Sequence, residues 1–185
     1  MENNNQIYNN IIKRRSCRKF LDKDISTEDI DKILKCGLSA PSAMNLQPWH
    51  YVVIRNKAVI EELNKLAKSS FQNSNVKWRE NWANMPNFSP FYSPNVLILI
   101  CYNKNIKNAM NDCCFAVENM SLMAASLGIG SCIIQDICWA ITEENKTHFN
   151  IPSDYSIYLS LSLGYPASKI DTNRTFDMKK ISIID

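Results

Sequence analysis

The sequence has four glycines, two histidines and no cysteine pair spaced C-x-x-C, and each shortage removes a class of function. Gly128 and Gly130 lack the third glycine of a dinucleotide fingerprint, since Ile133 stands three positions on, and no loop ends in Gly-Lys-Ser/Thr. Rossmann and P-loop chemistry are therefore not encoded. His50 and His148 form no H-E-x-x-H motif and no acidic cluster has ligand spacing, so no metal is expected. His50, inside an apparent strand, reads as packed or hydrogen-bonded. The longest apolar run, residues 96–102, is far short of the roughly 20 residues of a membrane span. The Asn-rich N-terminus also lacks an apolar segment of signal-peptide type. A cytoplasmic protein with no membrane partner is expected. The seven cysteines (17, 36, 101, 113, 114, 132 and 138) are odd in number and mostly lie in apolar segments. They read as reduced core thiols, including adjacent Cys113 and Cys114 in mid-helix.

What is present is an ordinary globular composition. The chain has 185 residues, 45% hydrophobic and 21% charged, which suits one domain spanning 1–185. Asn and Ile number 22 each, as expected of an AT-rich bacterial genome. Net charge is +3, too small for a general polyanion binder, yet Lys13, Arg14, Arg15, Arg18 and Lys19 fall within seven residues.

Helical spacing at Ile7, Ile11 and Ile12 leads into that cluster and predicts a helix ending near Arg15. Ser26 with Asp29 resembles a capping box, and Gly37 reads as the stop of a second helix. A strand over 49–54 precedes a helix carrying Ile60, Leu63 and Leu66. Residues 69–95 predict a partly helical excursion. Residues 96–101 predict a strand buried on both faces, followed by a very apolar helix capped by Asp112 and stopped by Gly128. That helix should be covered nearly all round, by the core or by another subunit. Short strands over 131–134 and 155–163 flank a short helix over 142–149. This order fits a layered α/β or α+β domain.

Two polar stretches stand out. In Arg14-Arg15-Ser16-Cys17-Arg18-Lys19-Phe20 a helix end meets several guanidinium groups and a hydroxyl. Arginine forks match phosphate oxygens, which suits a phosphate monoester; a solvated basic face or a nucleic-acid patch has the same spacing. In residues 40–49 two prolines frame a loop carrying Ser42, Asn45 and Gln47. Such amides can read the edge of a heterocycle, and an ordinary proline-rich turn is the plainer alternative.

Together, R-R-S-x-R-x-F and, about 20 residues later, A-P-S-x-x-N-x-Q-P-W resemble the signature of the FMN-dependent nitroreductase family. Similarity extends to the strand ending in Cys101, to residues 126–130, to Ile134-Gln135 and to residues 163–167. The resemblance implies an α+β fold, a central mostly antiparallel sheet flanked by helices, and an intertwined homodimer with FMN at the subunit interface. By position, Arg14, Arg18 and Arg174 would hold the FMN phosphate, with Arg15 and Ser16 reaching phosphate, ribityl or pyrimidine edge. Pro41, Ser42, Ala43, Met44 and Asn45 would line the partner's flavin, with Gln47 a weaker candidate. Ile134 and Gln135 would cover one flavin face. The chemistry would be the cofactor's, with no catalytic acid or nucleophile. NAD(P)H as co-substrate and a small-molecule acceptor such as a nitroaromatic or quinone would use one cleft in ping-pong fashion.

Asp136 stands where many relatives have Gly, which bears on the backbone turn beside the flavin and motivates a second reading, an FMN-binding protein with little turnover. A third is a same-fold enzyme of dehalogenase-like or flavin-fragmenting type. Nucleic-acid binding is disfavoured by the small net charge and by the absence of aromatics interleaved in the basic cluster.

Overall fold

The continuously apolar run after Pro94 becomes a central strand because both of its faces meet a core. A computed structural model describes residues 5–135 and 140–184. Strands β1 (Trp49–Ile54), β2 (Val96–Asn103), β3 (Gly130–Ile134) and β4 (Tyr155–Gly164) form one sheet in the order β1-β2-β4-β3. Every neighbouring pair is antiparallel. Val96, Ile98 and Ile100 join a core with Ile30, Ile33, Cys113 and Met120, whereas Leu97, Leu99 and Cys101 join another with Ile60, Leu63 and Phe91. That is the two-residue period of a strand expressed through residues that are all apolar. Ile100 faces Leu159 while Cys101 faces Ile157, so Tyr158 is an extra residue in β4. This bulge lets Ile157 and Leu159 serve opposite cores.

The helices are α1 (Gln6–Lys13), α2 (Thr27–Leu38), α3 (Lys57–Gln72), α4 (Lys77–Ala83) and α5 (Ala109–Ser126). α2 and α5 supply the first core, α3 the second, giving an α+β fold. Ser26 caps α2 as expected, accepting a hydrogen bond from the Asp29 N–H at 3.1 Å. α4 is the helical part of the expected excursion, where Trp78 and Trp82 meet edge to face with centroids 5.2 Å apart. Among the described residues no helix is long and apolar enough to cross a membrane.

Four expectations need correction. Gly37 does not stop α2; it lies inside the helix, where an added Cβ would sit 2.1 Å from the Met120 Cε, so it permits close packing of α2 on α5. α5 begins three residues before Asp112, with Asn108 as its N-cap residue, and Asp112 is buried in the first turn. The helix expected over 142–149 is only a 3₁₀ turn, Lys146–Phe149. Upstream of it, the Asn145 side-chain Oδ1 accepts from the Thr142 N–H at 2.8 Å, a local bond that competes with helix. Finally, Cys114 is exposed, so it is not a thiol of this chain's own core; Met110 and Phe115 of α5 are exposed as well, which leaves that face of the helix for the other subunit in the expected cover. Cys113 is buried, and burial pushes it and Cys101 up to about 12, so neither is a thiolate at neutral pH. Gly128 does close the helix, with φ of +71°.

The segment after residue 140 is fastened by a buried lysine. Lys146 Nζ donates to Glu143 Oε2 at 2.7 Å and to the Ser153 carbonyl at 2.7 Å, and Lys104 Nζ reaches the same Glu143 oxygen at 3.1 Å. Hydrogen bonds from Lys146 and Lys104 hold the Glu143 carboxyl down at about 2, below its ordinary 4.5. A carboxyl depressed in the folded state stabilises above the unfolded value and loses that contribution as pH falls through the folded one. Thermal unfolding should therefore lose stability between about pH 4.5 and 2. Glu143→Gln should flatten that limb of the Tm-against-pH curve; an unchanged limb would contradict the assignment.

Candidate functional site

The basic segment leaves α1 and lies along the free edge of β3. Ser16 pairs with Ser131 in a parallel bridge, and the Cys17 N–H donates to the Ser131 carbonyl at 2.8 Å. Beyond it, Leu21 N–H donates to the Tyr165 carbonyl at 2.8 Å and Ala167 N–H to the Lys19 carbonyl at 3.0 Å. Gly130 makes this approach possible: an added Cβ there would lie 2.7 Å from the Cys17 Cβ and 2.8 Å from its Sγ.

The cationic side chains gather at this edge. Arg14 Nε lies 3.5 Å from Glu118 Oε1, so one of the two carboxylates of α5 orients it. Arg174, on the tail, donates from Nη2 to the Arg14 carbonyl at 3.3 Å. The buried Cys132 thiol of β3 lies within the field of two of these arginines. Burial raises its pKa, while the charges of Arg18 and Arg14 and a hydrogen bond from Ser16 oppose the rise. Arg18 itself sits 5.8 Å from the centroid of the Tyr92 ring. A cavity of about 270 Å³ opens between α1, the start of β3 and the tail, with Lys13, Arg14, Ser131 and Thr172 on its wall.

Arg15 lines the same cavity, and its guanidinium is engaged with backbone carbonyls. Its Nη1 donates to the carbonyls of Ile12 and Arg14, both at 2.8 Å. Its Nη2 donates to the carbonyls of Thr172 and Asn173 at 2.5 and 2.6 Å. Four of the five guanidinium N–H donors are thus committed to backbone.

The loop 41–48 is shaped by its own side chains. Ser42 Oγ accepts from the Gln47 N–H at 3.0 Å, and Asn45 Oδ1 accepts from Gln47 Nε2 at 3.1 Å. Met44, Asn45 and Gln47 all have left-handed φ, between 47° and 55°. Non-glycine residues there cost of order 1 kcal/mol each, so surrounding contacts must hold the loop. One such contact comes from Asp112, whose buried carboxylate accepts from the Ala43 N–H at 3.3 Å. Asp112 and Glu118 are six residues apart on α5, about 9 Å along the axis. The loop and the basic cluster therefore hang from different parts of one helix. Met44 is 87% exposed, and Pro41 begins the loop beside Ala40, which belongs to the first core.

Ile134, at the end of β3, lines a small cavity together with Trp82, Phe88 and Tyr92 of the excursion, and Gln135 follows it at the surface. Asp136 lies outside the described residues. Sequence reasoning missed Asp112 as an anchor, Glu118 as the partner of Arg14, and Tyr92 under Arg18. The only available signal for the first two was the presence of carboxylates in an otherwise apolar helix.

Known proteins share this fold and much of the sequence. The profile of the Nitroreductase family matches residues 11–165. A protein of Archaeoglobus fulgidus, classed as a candidate NADH dehydrogenase/NAD(P)H nitroreductase, is 32% identical over 171 residues, covering 87% of this chain and 86% of that relative. An iodotyrosine deiodinase of Thermotoga neapolitana is 25% identical over 167 residues, covering 86% of this chain and 88% of its own. The crystal structure of a nitroreductase with bound FMN from Bacteroides fragilis superposes with a TM-score of 0.91 at 30% identity, over 98% of this chain and 100% of that one. With the family profile spanning most of the chain, and sequence and fold in agreement, this protein belongs to the nitroreductase family.

Proposed function

We propose that the protein is an FMN-dependent oxidoreductase that takes electrons from NAD(P)H and delivers them to small acceptors such as quinones or nitroaromatics, acting as a cytoplasmic homodimer. The observation behind this reading is the meeting of Arg14, Ser16 and Arg174 beside the start of β3, with Arg18 further along the same edge over Tyr92. Three guanidinium groups and a hydroxyl, with Glu118 as the acidic partner of Arg14 alone among the described contacts of this group, suit a dianionic phosphate monoester. The FMN phosphate fits this donor set. When bound, FMN supplies two-electron transfer between the nicotinamide and the acceptor.

The chain's own residues would bind and orient. Arg14, Arg18 and Arg174 hold the phosphate end, and Ser16 adds a neutral hydrogen bond. Ile134 and Gln135 border the ring, with the aromatic group of Trp82, Phe88 and Tyr92 beside them. The loop from Pro41 through Ser42, Ala43, Met44 and Asn45 to Gln47 serves the flavin of the second subunit. With Asn45 Oδ1 occupied by Gln47, the Asn45 amide acts there as a donor.

The homodimer is supported by uncovered apolar surface. Met110 and Phe115 on α5, Ile7 and Ile11 on α1, and Met178, Ile181 and Ile183 on the tail are all exposed. So large an apolar surface fits an intersubunit contact. If one site draws on two chains, FMN and dimer are linked by mass action, and FMN at about 100 times its Kd adds about 2.7 kcal/mol per site to the assembled state. Sedimentation of dilute protein should show the dimer strengthening as FMN is added; an FMN-loaded monomer at micromolar concentration would rule the shared site out.

The function itself is tested by steady-state oxidation of NADH and NADPH with and without menadione. Turnover that depends on both FMN and acceptor is expected, and flavin binding without turnover would favour the passive binder. Similarity to the Thermotoga deiodinase favours reductive dehalogenation as the second reading, which iodotyrosine as sole acceptor would reveal.

A further inference from the structure

The Arg15 guanidinium joins two segments more than 150 residues apart in sequence, the end of α1 and the start of the tail. On the α1 side, Ile12 and Arg14 offer carbonyls that the helix end leaves without intrahelical partners, which a basic side chain commonly satisfies. On the tail side, Asp171 Oδ1 accepts from the Asn173 N–H at 2.9 Å, forming a local turn. The Thr172 and Asn173 carbonyls then meet the same Nη2. The next residue is Arg174, whose guanidinium returns to the Arg14 carbonyl. Arg15 could offer a bidentate fork to a phosphate only by giving up at least one of its four carbonyl bonds.

We propose that Arg15 is a positioning residue: it pins the tail at residues 172–173 to the end of α1 and thereby sets Arg174 beside Arg14. This rests on the reading of Arg14, Arg18 and Arg174 as the phosphate end of an FMN site. It assigns Arg15 no contact with the cofactor. A lysine cannot replace it, because a single ammonium does not span two pairs of carbonyls on separate segments.

The test uses full-length wild type, Arg15→Gln, Arg15→Lys, Arg174→Ala and the Arg15→Gln/Arg174→Ala double variant. FMN and riboflavin are each titrated into the flavin-depleted chain. Riboflavin lacks the phosphate, so it separates action at that end from general loss of structure. Arg15→Gln and Arg15→Lys should each weaken FMN about 10-fold, the size of one charge-assisted contact, and riboflavin less than about 2-fold. In the Arg174→Ala background, Arg15→Gln should cost less than about 2-fold, because the residue it positions is already gone. Equal weakening of both flavins, multiplying effects in the double variant, or full rescue by lysine would each overturn the proposal. A second readout needs no flavin: trypsin should cleave after Arg174 faster in Arg15→Gln than in wild type at equal Tm. Unchanged cleavage would contradict the clamp, whereas faster cleavage in a chain that binds neither flavin would uphold the clamp and remove the FMN reading.

Discussion

Arg18→Ala and Arg174→Ala are each expected to weaken FMN binding by about 10- to 100-fold, since one charge-assisted hydrogen bond contributes about 1.5 to 3 kcal/mol. Both are proposed phosphate ligands: Arg174 donates to the Arg14 carbonyl, and Arg18 follows Ser16 along the edge of β3. The phosphate end lies away from the redox ring, so turnover should recover in these variants once FMN is added to saturation. Asn45→Ala should behave differently. Its loop is held by Ser42 and Asp112. The role proposed for Asn45 is to donate to the ring, so its loss should change the relative stability of oxidised and reduced cofactor. For a two-electron couple about 1.4 kcal/mol corresponds to 30 mV, so one hydrogen bond of typical net strength predicts a shift of roughly 10 to 30 mV. Paired titrations of FMN affinity and midpoint potential measure both. Equal effects of Arg18 and Asn45 on both quantities would show that the phosphate and ring ends are assigned wrongly.

Gly130→Val should damage stability and cofactor binding together. The first atom of any side chain at residue 130 would lie 2.7 Å from the Cys17 Cβ, an atom fixed to the backbone, and 3.1 Å from the Pro166 Cγ. Relief requires the basic segment to move off β3, which strains the Cys17-to-Ser131 hydrogen bond. Overpacking of this kind costs about 1 to 3 kcal/mol. Displacing Ser16 and Arg18 should also lower FMN affinity by at least about 10-fold. Gly128→Ala serves as the control: its added Cβ meets nothing within 4 Å, and the cost there is confined to the left-handed backbone. Chemical denaturation and FMN titration of both variants separate the effects. A Gly130→Val protein with reduced stability but unaltered FMN affinity would show that the segment's contact with β3 does not set the site.

The sheet was legible because its signals are local. A seven-residue apolar run, a Ser26 cap and a left-handed Gly128 each declare an element within a few positions, whatever packs on it. Gly37, Asp112 and Cys114 were misread because their roles depend on neighbours far along the chain. Gly37 is needed by Met120 and Asp112 by Ala43, and Cys114 lies on a face of α5 that this chain's own core does not cover. In the site, the residue types suited to a phosphate and a heterocycle were readable from the two motifs. The division of labour among the three arginines near residue 15 was not. Arg14, Arg15 and Arg18 are equivalent in composition, and only the carbonyls of residues 172 and 173 distinguish the clamp from the candidate ligands.

The most direct test of the central claim is an anaerobic titration of the purified protein with NADH and NADPH, followed through its visible absorption. The account predicts a yellow protein whose band bleaches with one equivalent of reduced nicotinamide per site, returns when menadione is added, and yields FMN on heating. A colourless protein that FMN cannot reconstitute, or a flavin band that neither nucleotide bleaches, would contradict it.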